Sequence, residues 1–268
     1  MILKRILLFL ICLPAVAGTS YAQERSVETE TAGPPAVDQL IHANEYLKFK
    51  VTYSFFKIAW VEIEAIGDTL VDGEKLFHIR STIRSNSAVP LIGTEIDEYN
   101  SIFYVNGQNL PVTRAYWKHD IDEGDYREYD YYFDRNSGQV RFRENATSDT
   151  LRLEEPATSG HLILLWARLF AGTDKTYRMN VYTAKEKGTL VSQNFTGKEK
   201  KKVAAFDNRE VDTYYSRGSA LVAGPFGFSG DFEIWFMDNE LRVPVEARLK
   251  VFLGHVKAHL IEYRRGTG

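Results

Sequence analysis

Residues 46–55 read Tyr46-Leu47-Lys48-Phe49-Lys50-Val51-Thr52-Tyr53-Ser54-Phe55. Leu47, Phe49, Val51, Tyr53 and Phe55 fall on one side of this period-two pattern, and Lys48, Lys50, Thr52 and Ser54 on the other. That is the signature of a half-buried β-strand. Val61, Ile63 and Ala65 alternate against Glu62 and Glu64 in the same way. Asp72-Gly73 then separates Val61–Val71 from Lys75–Arg84, and Asn106-Gly107 separates Ile96–Val105 from Pro111–Lys118. Both dipeptides tolerate the positive φ angles of tight hairpin turns.

The pattern continues through Tyr126–Phe133, Gln139–Arg143, Tyr177–Ala184, Thr189–Phe195, Arg209–Ser216, Asp231–Phe236, Val243–Leu253 and His255–Tyr263. About a dozen strands joined by short turns describe a mainly β chain. The expected fold is an antiparallel meander forming a half-open or closed barrel-like sheet. One segment departs from the period: His161–Phe170 is expected to be a short buried helix, with Ser159 as its N-cap and Gly172 as its stop. It is apolar nearly all round, and its ten residues reach only about 15 Å, too short to cross a bilayer.

Residues 1–22 carry a different message. Lys4 and Arg5 precede the apolar run Ile6–Val16, and Ser20-Tyr21-Ala22 supplies small residues for cleavage after Ala22. This reads as a secretory signal peptide, whose removal leaves the chain two charges more negative. The single cysteine, Cys12, lies within that run, so the exported part carries no disulfide, which suits a Gram-negative periplasm. Residues 23–44, with Gly33-Pro34-Pro35, read as a flexible polar leader. Residues 45–264 are then expected to form a single β-rich domain.

The chain has 268 residues, 44% of them hydrophobic and 26% charged, with a formal charge of −3. Such a balance offers no whole-protein field for nucleic acid, which is not expected as a partner. No nucleotide-binding glycine loop or nucleophile motif is present. His255 and His259 are four residues apart in an expected strand, roughly 13 Å, too far to share one zinc ion. Asp120–Asp125 departs from the calcium-loop register and reads as an acidic hairpin tip. Gly224–Gly230 reads as a glycine-rich loop carrying two phenylalanines, and Gly197–Lys202 as a solvated basic tip. No cofactor or metal is expected, and no catalytic residue is identified.

At the C-terminal half, Trp235-Phe236-Met237-Asp238 is followed by Arg242-Val243-Pro244-Val245, a strand ending at Gly254 and a last strand to Tyr263. With the opening Glu45–Val51, the Val181-Tyr182 strand and Phe195-Thr196-Gly197, this order resembles the bacterial exported family called domain of unknown function 3108. Trp235, Asp238, Arg242, Pro244 and Gly254 carry the resemblance. The family label implies no activity. The ending is also similar to that of periplasmic lipoprotein carriers of the LolA and LolB kind, which implies a half-open barrel with a helical lid over an apolar cavity.

The expectation that follows is a periplasmic, non-enzymatic protein binding a lipid, acyl chain or other apolar ligand, or assisting an envelope protein. Leu162, Leu165, Trp166 and Leu169 of the helix, with Trp60, are the candidate lining. An outer-membrane β-barrel and an enzyme with an unrecognised carboxylate site are the alternatives. Sequence leaves the oligomeric state open.

Overall fold

A computed structural model describes residues 33–88, 95–122, 125–144, 147–160, 162–183, 186–221, 230–251 and 254–266. All of them belong to one compact unit. A short helix α1 (Val37–His42) leads into strands β1 (Glu45–Tyr53), β2 (Phe56–Val71), β3 (Glu74–Ser85), β4 (Ile96–Val105), β5 (Pro111–Asp122), β6 (Asp125–Asp134), β7 (Gln139–Glu144), β8 (Thr147–Arg152) and β9 (Ala157–Ser159). Helix α2 (Leu162–Phe170) follows, and then β10 (Thr176–Thr183), β11 (Glu186–Val203), β12 (Arg209–Leu221), β13 (Gly230–Met237), β14 (Pro244–Val251) and β15 (Gly254–Arg265).

Among the described residues these strands make one sheet in the order β8-β7-β6-β5-β4-β3-β2-β1-β15-β14-β13-β12-β11-β10-β9. Every neighbouring pair is antiparallel except β9 and β10, which run parallel. The sheet is therefore a meander with β8 and β9 as its two edges, and the first and last long strands pair at its centre. The edges approach each other without a ladder. The Tyr182 hydroxyl on β10 donates to the carbonyl of Arg152 at 2.7 Å and accepts from the amide of Glu154 at 2.8 Å, just beyond β8. Those two bonds satisfy backbone groups at an edge that would otherwise be open.

The alternation read in β1 is realised, with Leu47, Phe49 and Val51 buried and Lys48 and Lys50 on the other face. The strand ends earlier than its apolar pattern predicts. Ser54 adopts a φ of 54°, turning the chain so that Phe55 points away from the core and is 82% exposed. Asp72 and Gly73 take the positive φ values expected of a tight hairpin. Asn106-Gly107 opens a longer loop instead. The Asn106 side chain accepts from the amides of Gln108 and Leu110, and Asn109 supplies the positive φ.

The concave face is filled largely by aromatic rings. Tyr116 of β5, Tyr131 of β6 and Phe142 of β7 stand in register, with ring centroids 5.3 and 4.9 Å apart. Such tilted contacts add favourable edge–face electrostatics to the buried apolar area. At the other end of the strands, α1 and α2 close the sheet.

Three expectations need correction here. Residues 37–43, assigned to a flexible leader, include α1, whose Val37, Leu40 and Ala43 are buried in the core. Their spacing places three apolar side chains on one helical face. Ser159 does not cap α2. It lies in β9, with its Oγ 3.4 Å from that of Ser101.

The basic stretch 198–202 is likewise not a loop tip but part of β11. The β11–β12 hairpin curls back over the sheet, where Val203, Phe206 and Val211 join the apolar cluster that contains Trp235 and Met237, and the Phe206 ring meets that of Tyr263. Lys198 pairs with Asp238 at 2.6 Å and Lys201 with Glu246 at 3.3 Å. The glycine-rich stretch singled out above lies, but for Gly230, outside the described residues.

Candidate functional site

Helix α2 enters the sheet at the end where β1 begins. Its side chains divide between packing groups. Leu162 and Leu165 join the core formed with α1, β1, β3 and β4, and Leu169 packs against it. Trp166 faces β10–β13, and its indole N–H donates to the carbonyl of Pro111 at 3.1 Å. Trp60 stands apart from these four. Its register partners are Lys50 and Arg84, which places it on the convex face.

Two arginines hold the helix in place. Arg168 on α2 is buried, pairs with Glu45 at 2.7 Å and donates to the carbonyl of Leu241 at 2.8 Å. The hydroxyl of Tyr263 donates to Glu45 at 2.7 Å. Burial and the neighbouring Glu45 charge push the Tyr263 phenol far above its ordinary value. Arg242 reaches the same C-terminal end of the helix from the other side. It sits at a φ of 48° in the turn before β14, and its Nε donates to the carbonyl of Ala171 at 3.4 Å.

The residues behind the family resemblance are brought largely into this anchoring system. Asp238 accepts from Arg242 at 3.1 Å and faces Lys198, while the Arg242 guanidinium lies 4.5 Å from the Tyr214 ring centroid. Burial acts to raise the Asp238 pKa, but hydrogen bonds from Lys198 and Tyr214 outweigh it and hold the carboxyl below its usual range. Pro244 begins β14, where its missing N–H is tolerated. Trp235 lies under the curled hairpin, with its N–H donating to Glu199 at 2.7 Å and Lys201 above its ring at 3.6 Å. Gly254 opens β15 at a φ of 94°, at the opposite end of the strands.

Beside the helices is a crevice of about 290 Å³ between α1, α2 and β2–β4. Its apolar lining comprises Leu40, Ile41, Ala65, Phe77, Ile79, Phe103 and Leu165. A β-bulge in β2 between Ala65 and Gly67 lies on one wall, with Gly67 at a φ of 143° that a side chain would strain. Its polar lining comes from His42, Asn44, Asp68 and His78. Asp68 is neutralised by Lys75 at 2.7 Å, and His78 Nε2 bonds the Asn100 side-chain oxygen at 2.8 Å.

Of the sequence-derived lining candidates, only Leu165 borders this crevice. The aromatic wall from β3 and β4 was missed because Phe77 and Phe103 carry no signal beyond ordinary strand alternation. Leu40 and Ile41 were signalled by helical spacing within the supposed leader. Among the described residues, no group of three or more His, Cys, Asp or Glu side chains is placed to hold a metal.

These features define an open antiparallel β-meander whose end is plugged by a helix pinned from both the first strand and the turn before β14. The sequence profile of the DUF3108 family, described as a protein of unknown function, matches residues 48–261. The chain belongs to that family. No curated protein matches it at a significant level. Among solved structures it is similar to a beta-barrel-like protein of domain of unknown function DUF1849 from Brucella abortus, at 7% identity and a TM-score of 0.51. That alignment covers 85% of this chain and 99% of the other. A protein with a YmcC-like fold from Bacteroides fragilis NCTC 9343 aligns over 87% of this chain and 99% of its own, at 9% identity and a TM-score of 0.37. The first likeness concerns the fold alone, and the second superposition is too loose to carry an argument.

Proposed function

We propose that this is an exported, non-enzymatic protein of the cell envelope that holds a single apolar chain of an amphipathic ligand in the α1–β2–β3 crevice. The observation that carries this reading is the lining itself: seven apolar side chains, beside which stand imidazole and amide groups and a carboxylate already paired with Lys75. An aliphatic chain leaves water there without stranding a charge, and its polar end meets imidazole and amide groups. At about 30 Å³ per water, the volume equals roughly ten waters, so it suits one chain segment rather than a two-chain lipid. The signal-like residues 1–22 support export to a periplasm, and the likeness to LolA and LolB carriers fits the same class of ligand.

The outer-membrane alternative is less well supported. The convex face carries Lys48 with Glu62 and Arg80 with Glu64, whereas the concave face is largely apolar. A lipid-facing barrel needs the reverse distribution.

Titration with a fluorescent fatty acid tests the reading. Saturable binding is expected, and Ile41→Trp, which fills the crevice from a partly exposed position, should abolish it without lowering the melting temperature. Unchanged binding by that variant would place the ligand elsewhere.

A further inference from the structure

We infer that the end of the sheet opposite the helices is a docking surface for an anionic phospholipid bilayer, with the β1–β2 turn as its apolar tip. This goes beyond the crevice reading and does not depend on it. Phe55 and Phe56 are 82% and 50% exposed, and their ring centroids are 4.2 Å apart. β1 runs from Glu45, beside the Arg168 anchor, to Tyr53, so this aromatic pair projects from the far end. A single exposed apolar side chain is ordinary, but adjacent phenylalanines at a turn are a local liability unless something covers them.

The surroundings identify the covering chemistry. Lys57 follows the pair directly, with its ammonium 4.3 Å from the Trp60 ring centroid. Across β3, β2, β1 and β15, the convex face carries Arg84, Trp60, Lys50 and His259 in one row, and Lys257 pairs with Thr52 in the next. Lys50, Lys57, Arg84 and Lys257 have no carboxylate partner among the described residues. The nearest row carboxylates are already engaged: Glu62 with Lys48, and Glu246 with Lys201 and Arg248. Four uncompensated cations beside two exposed phenylalanines and a tryptophan match an interface in which rings enter the headgroup region and phosphates meet ammonium and guanidinium groups. A neutral apolar partner would leave those cations without counter-charge.

Vesicle co-sedimentation of the full chain provides the test, with phosphatidylcholine alone and with an equal mixture of phosphatidylcholine and phosphatidylglycerol. Binding to the mixed vesicles, falling with added salt, is expected. Each charge reversal at Lys57 or Lys257 should weaken it about fivefold or more, since one lysine near a charged surface contributes about that factor. Phe55→Ser with Phe56→Ser should weaken it about tenfold or more. All four side chains are exposed, so thermal melting should be unchanged and a folding defect would be seen separately. Equal sedimentation with both vesicle types, no sedimentation with either, or variants that bind as the parent does would overturn the inference. Phenylalanine-dependent self-association in analytical ultracentrifugation without vesicle binding would overturn it too, because a second copy would then cover the tip. Fatty-acid binding by the crevice should be unaffected in these variants.

Discussion

Arg168 and Glu45 form an ion pair at 2.7 Å in which each side chain is only 5% exposed. One lies on α2 and the other opens β1, so the pair fastens the buried helix to the strand that starts the sheet. Tyr263 of β15 completes it by donating to Glu45. Removing two charges from water costs several kcal/mol, and the attraction offsets this only while both partners are present. Glu45→Leu or Arg168→Leu alone should therefore destabilise the protein by about 3–5 kcal/mol, and the two together by less than either single change. Denaturant unfolding of the three variants would check this. A fully additive double variant would mean that the two side chains are not coupled.

Asp238 belongs to the second anchor at the C-terminal end of the helix, where it faces both Lys198 and the buried Arg242. Asp238→Asn removes the carboxylate that faces the enclosed Arg242, which also donates to the carbonyls of Asn239 and Ala171. A loss of about 2 kcal/mol or more is expected. The Asp238 pKa is depressed in the fold. Its contribution is therefore present above the unfolded carboxylate pKa and lost as the pH falls through the folded one. Acid unfolding should begin at higher pH in the Asn variant.

His259 gives a pH dependence at milder values. Burial lowers its pKa below the ordinary 6.5, opposed by Glu246 and reinforced by Lys50, Lys257 and Arg248. The folded protein binds the proton less readily than the unfolded chain does, so stability falls as the pH drops below about 6.5. Thermal melts from pH 7.5 down to pH 5.5 should show that decline in the parent and a flatter profile in His259→Asn. Parallel profiles would remove His259 as the cause.

The meander was legible because its information is local. Alternation in β1 and β2 and the Asp72-Gly73 turn need no tertiary knowledge, and the Gly172 stop was read from the sequence in the same way. Gly172 takes a φ of 77°, and a Cβ there would meet the Tyr214 ring at 2.9 Å. What escaped was set by long-range partners. The lysines at 198–202 look solvent-bound until β11 is seen to curl over Trp235 and Glu246. Arg168 reads as a polar break in an apolar helix, because Glu45 lies more than a hundred residues away. Phe55 fits the strand period and is lost to it only through the left-handed Ser54. The crevice draws one residue or a few from several elements, so no single segment announces it.

The most direct test of the crevice as a ligand site is native mass spectrometry of protein purified without detergent from the envelope fraction that contains it. The expected result is a bound mass, released by organic solvent, corresponding to a single-chain amphiphile and absent from Ile41→Trp. A ligand-free mass for the parent, unchanged by added fatty acid, would contradict it.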